Sequence, residues 1–70
     1  MHREKVSSST VAAIGYDSQN QILEIEFRDA SLYQYSGVPE NVYHAMMSAP
    51  SHGEFLNAEI KRAGYPCRQV

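Results

Sequence analysis

Hydrophobic and polar positions along the chain change period once, and the change divides it into a strand-forming half and a helix-forming half. Thr10–Tyr16 is rich in β-branched residues and predicts a first strand. Simple alternation puts Ala12, Ile14 and Tyr16 on one face and Val11, Ala13 and Gly15 on the other. The small residues Ala13 and Gly15 leave room for something to pack closely on their side. Asp17-Ser18-Gln19-Asn20 is a turn by its chemistry, since Asp and Asn side chains bond their own backbone. Gln21–Arg28 is the clearest strand. Leu23, Ile25 and Phe27 point one way and Glu24, Glu26 and Arg28 the other, which predicts one buried face and one solvated face. Asp29-Ala30 is a tight connection, although Ala30 suits a two-residue type I′ turn poorly and the turn extends to Ser31 on one reading. Ser31–Ser36 is the third strand, with Tyr33 and Tyr35 on one face and Leu32 and Gln34 on the other.

After Gly37 the period becomes helical. Pro39 suits a helix's first turn, where its missing N–H costs nothing, and Glu40 sits near the positive end of the helix dipole. Val42, Tyr43, Met46 and Met47 trace an apolar stripe as far as Ala49, and Pro50 ends the helix. Ser51 and Glu54 have capping-box spacing and open a second helix running to about Ala63, with Phe55, Leu56, Ile60 and Ala63 as its buried set. Lys61 and Arg62 complement the negative end of its dipole, and Gly64 suits the residue after the last turn. The predicted fold is α+β: a three-stranded antiparallel β-meander followed by two short α-helices packed on one face, in the order β-β-β-α-α. Residues 1–8 are expected to be a flexible N-terminal tail, 9–66 a single domain and 67–70 a C-terminal tail.

Order and spacing of several short motifs make the chain similar to the KTSC domain family. They are Ser9 to Asp17 with its Gly15-Tyr16-Asp17 turn, Leu23-Glu24-Ile25-Glu26-Phe27, Tyr33-Gln34-Tyr35, Val38-Pro39, Ala49-Pro50-Ser51-His52-Gly53, Phe55-Leu56-Asn57 and Ile60-Lys61. The resemblance covers about residues 8–65. Asp29-Ala30 departs from it, standing where a glycine-containing turn is more usual. The family's domain is named for its place at the C-terminus of some lysyl-tRNA synthetases and also occurs alone as a small bacterial protein. The resemblance implies an interaction module, with RNA binding suggested by the synthetase context, and offers no catalytic residues to transfer.

Composition narrows the partners. Seventy residues form one small domain, which buries about 60% of the surface of its unfolded chain and is marginal in stability. Net charge is −2, no electrostatic footprint for bulk nucleic-acid or anionic-membrane binding. No apolar run is long enough to span a membrane, and no signal-peptide pattern follows Met1-His2-Arg3-Glu4-Lys5. The one cysteine, Cys67, fits a reducing, cytoplasmic setting. Neither it nor His44 and His52 has the spacing of a metal site, and no cofactor is expected. No nucleophile has a base beside it, so an enzyme is the least favoured reading.

Two non-enzymatic readings remain. In one, Tyr33 and Tyr35, with Tyr16 on a neighbouring strand, form a stacking platform for RNA bases. A cluster of Lys61, Arg62 and Arg68 beside Tyr65 would then meet phosphates. Against it, so short a chain needs its rings inside, and Lys61 and Arg62 already serve a helix end. The tyrosines serve both roles if one edge stays open. In the other reading, the exposed edge of a three-stranded sheet receives a protein strand or a second copy, with Met46 and Met47 adding an apolar patch. Glu24 and Glu26 read as a solvated strand face.

Overall fold

A computed structural model describes residues 1–70. Five antiparallel strands lie in sequence order, β1 (Arg3–Lys5), β2 (Val11–Asp17), β3 (Ile22–Phe27), β4 (Leu32–Ser36) and β5 (Cys67–Gln69). Between β4 and β5 the chain forms α1 (Glu40–Ser48), α2 (His52–Phe55) and a π-helical segment, Leu56–Lys61. The predicted meander and both helices are present, but the sheet has five strands instead of three.

Both added strands come from segments expected to be tails. β1 pairs with β2, Arg3 opposite Gly15 and Lys5 opposite Ala13. Gly15 explains the fit: a Cβ there would stand 2.7 Å from the His2 carbonyl oxygen and 2.9 Å from Arg3 Cγ. The bare backbone lets the N-terminal strand lie close. Arg28, expected to be merely solvated, ties down the rest of this segment, its side chain donating to the carbonyls of Ser8 at 2.9 Å and Val6 at 3.3 Å. β5 pairs with β4, Cys67 opposite Tyr35 and Arg68 opposite Gln34.

The core lies between one sheet face and the helices. Ile14, Leu23, Ile25 and Tyr35 from the strands meet Val38, Met46, Leu56 and Ile60. Val11 joins them, contrary to simple alternation, because the pairing of β2 with β3 slips between Val11 and Ala13. An extra residue in one strand reverses the facing of everything beyond it. The β3–β4 loop also differs from a two-residue turn. Phe27 N–H donates to Ser31 O at 2.9 Å and Ala30 N–H to Phe27 O at 3.0 Å, so the loop is Arg28-Asp29-Ala30. Ala30 closes it with φ of 72°, the left-handed conformation of such three-residue hairpins.

Ser51 caps α2, its hydroxyl accepting from Glu54 N–H at 3.2 Å. The following π winding changes which side chains share a face. Hydrogen bonds reach five residues ahead instead of four, so Lys61 comes round towards the side of Leu56. Leu56 and Ile60 are buried, whereas Ala63, placed in the buried set by α-helical spacing, is exposed.

Candidate functional site

The loop end of the β3–β4 hairpin, the C-terminal end of the π-helical segment and the start of β5 enclose a groove of about 490 Å³. Phe27, Tyr33 and Tyr35 line it from the sheet, Asp29 from the hairpin loop and Ser31 just after it, and Lys61, Tyr65 and Cys67 from the returning chain. Alternation along β3 and β4 sets the sheet wall. Tyr33 meets Phe27 edge to face, their ring centroids 5.6 Å apart and their planes at 83°. The π winding supplies the cation, holding Lys61 Nζ 5.8 Å from the centroid of the Phe27 ring. Lys61 has no carboxylate within ion-pair distance.

Tyr35 is the groove's floor. It is only 4% exposed and belongs to the core, so it is not part of an open platform beside Tyr33. Its hydroxyl is pushed up to about 12, first by burial and then by the neighbouring Cys67 thiol. At the rim, both the backbone N–H and the hydroxyl of Ser31 donate to Asp29 Oδ1, at 3.0 and 2.6 Å. These bonds hold the Asp29 carboxyl below its ordinary value and leave Oδ2 without a hydrogen bond from another residue.

Of the six residues predicted for ligand contact, Tyr33, Tyr35, Lys61 and Tyr65 line this groove. Tyr16 is elsewhere. It lies across Leu23 from Tyr35, stacks on Tyr43 with centroids 4.7 Å apart, and donates from its hydroxyl to Val38 O at 2.6 Å. Arg62 is exposed outside the groove, and Arg68 sits on the opposite sheet face, donating to Gln34 Oε1 at 3.4 Å. The predicted basic cluster is therefore split, with Lys61 alone at the rings. Phe27, Asp29, Ser31 and Cys67 were not among the residues predicted for ligand contact. The Asp-Ala-Ser run at the hairpin before the Tyr-Gln-Tyr strand is the signal that points to Asp29 and Ser31.

The other sheet face holds a second polar constellation. Arg3, Gly15, Glu24, Gln34 and Arg68 form one cross-strand row over all five strands. Arg3 donates to Glu24 Oε2, and Gln34 Nε2 donates to Glu24 Oε1 at 2.8 Å. Arg3 Nε lies 3.4 Å from Glu26 Oε1. Glu24, expected to be solvated, is only 5% exposed because the flanking strands carry side chains over it. Burial pushes its carboxyl up, and the hydrogen bonds from Gln34 and Arg3 outweigh burial to hold it below its ordinary value. No three His, Cys, Asp or Glu side chains converge on a metal-sized site.

The model of the KTSC domain family matches residues 7–65. The chain belongs to the KTSC domain family. The KTSC domain here is 40% identical over 65 residues to an uncharacterised protein of Stutzerimonas stutzeri, covering 93% of this chain and 92% of that one. It is 37% identical over 57 residues to a lysine–tRNA ligase of Nostoc punctiforme, covering 81% of this chain but 10% of the ligase. The crystal structure of a KTSC domain protein from Yersinia pestis superposes with a TM-score of 0.93 at 46% identity, covering 99% of this chain and 96% of that one. No helix of the chain is long and apolar enough to cross a membrane.

Proposed function

We propose that this KTSC domain is a non-enzymatic module that contacts single-stranded segments of RNA, tRNA first among them, through the groove at Tyr33, Lys61 and Tyr65. The observation that carries the reading is Lys61: a cation with no carboxylate partner, turned over an aromatic groove by the π winding. RNA with unstacked bases is recognised by such a pairing, rings meeting bases and a cation meeting the phosphate between them. Similarity to part of a lysine–tRNA ligase supports RNA as the partner and the cytoplasm as the place. The net charge of −2 and the single cation at the groove make the contact weak and local.

Titration with single-stranded RNA and tRNA, followed by NMR at low salt, tests the reading. Signals of Tyr33, Lys61 and Tyr65 are expected to move, and Lys61→Ala to reduce the salt slope of binding by about 0.7, the loss of one single-strand phosphate contact. No shift at millimolar RNA would sink it. Strand addition at a free sheet edge has less support. β1 and β5 occupy the edges of the predicted meander, and the new outer strands have only three residues each, with charged side chains in both. Sedimentation across concentration checks that alternative, a concentration-dependent dimer being the result in its favour.

A further inference from the structure

We infer that the groove selects one unpaired guanine, with Asp29 Oδ2 accepting from the base's donor edge while Lys61 meets the adjoining phosphate. The inference rests on the RNA reading of the groove and deepens it. Three features of the groove match one nucleotide. About 490 Å³ lies within the range of sites for small ligands and takes a single nucleotide readily. Tyr33 and Tyr65 offer ring surface to a base, since neither is fully buried. Lys61 is the groove's one cation, and it is unpaired.

Asp29 decides between bases. Ser31 takes Oδ1 twice, which orients the carboxylate and leaves Oδ2 open at the rim. An ionised carboxylate accepts and never donates. The Watson–Crick edge of guanine presents two adjacent donors, the ring N1–H and the exocyclic N2 amine. That of adenine pairs a donor with an acceptor, that of cytosine puts one donor beside two acceptors, and that of uracil puts one donor between two acceptors. A ring acceptor held against Oδ2 is repelled, so the carboxylate favours guanine. A plain phosphate site would not place a carboxylate across from its cation; a base-reading site has use for both.

The test uses the intact chain and NMR titration. Guanosine monophosphate is compared with adenosine monophosphate, and pentauridylate with the same oligonucleotide carrying a central guanosine or inosine. Guanosine monophosphate should move groove signals at concentrations where the adenosine nucleotide does not. The guanosine oligonucleotide should bind at least about fivefold tighter than pentauridylate, since guanine offers the one open oxygen two donors and uracil only one, with inosine between. Asp29→Asn keeps an oxygen for Ser31 but turns the open oxygen into a donor, and should erase that gap without weakening pentauridylate. Lys61→Gln should weaken every oligonucleotide alike, and folding of both variants is checked by their unperturbed core signals. Equal binding of all the oligonucleotides would overturn base selection and leave RNA contact standing. A gap that survives Asp29→Asn would overturn the role of Asp29. Selective binding of the guanosine nucleotide with no oligonucleotide bound would retain base selection and overturn the RNA reading, and no binding of any probe would overturn both.

Discussion

The two faces of the sheet are buried by different means. On one, Ile14, Leu23 and Ile25 are covered by Met46, Leu56 and Ile60. Each of these belongs to a local apolar stripe, and burying such side chains contributes about 1.5–3 kcal/mol each. On the other face, Glu24 is nearly as inaccessible, but it is a carboxylate. It is closed in by Arg3 and Gln34, which come from two other strands and satisfy its oxygens. The first face follows from what each segment is. The second follows from which segments become neighbours, and its burial is tolerated only because the charge is paired and hydrogen-bonded.

The comparison can be broken most forcefully at Ile25. Ile25→Ala should cost about 3 kcal/mol, lost contacts plus a residual cavity, and leave so small a domain close to unfolding. Urea denaturation measures it, and a loss under about 1 kcal/mol would mean the helix-covered face is not the main source of stability. Next in size is Arg3→Ala on the polar face, whose effect is concentrated in acid. The carboxyl of Glu24 is depressed in the folded chain, so its contribution is present above the ordinary value of 4.5 and is lost as pH falls through the folded value. Removing Arg3 takes away part of that depression while burial persists. The acid limb of the stability curve should move to higher pH, and curves from pH 7 to 3 that stay parallel to those of the parent chain would refute the clasp. The smallest change sharpens the picture at the hairpin beside the groove. Ala30 holds φ of 72°, a conformation that costs an L-residue about 1 kcal/mol and glycine almost nothing. Ala30→Gly should raise stability by up to about 1 kcal/mol, partly offset by glycine's freer unfolded chain, as a rise in melting temperature.

Much of the fold was legible because its signals are local. β2, β3 and β4 follow from runs of β-branched and alternating residues, and Ser51 and Gly64 mark where the second helical segment begins and ends. The slip beside Ala12 was not, since nothing in Val11-Ala12-Ala13 declares an unpaired residue. The π winding was equally hidden. Leu56 and Ile60 suit an α-helix as well, and only packing on the sheet distinguishes the two. At the groove, Tyr33, Lys61 and Tyr65 were legible as exposed-capable rings and a cation. Asp29 and Cys67 were not, because they reach the groove through a three-residue loop and a returning strand.

By itself the sequence determined the strand and helix periods, the residues that must go inside and the KTSC family. The tertiary structure alone decided that Arg3–Lys5 and Cys67–Gln69 complete the sheet. Strand pairing is made by backbone N–H and C=O groups that nearly every residue carries, so a short polar segment bears no mark of it. Only the proximity of an unfilled edge, and at β2 the absence of a side chain on Gly15, turned those segments into strands.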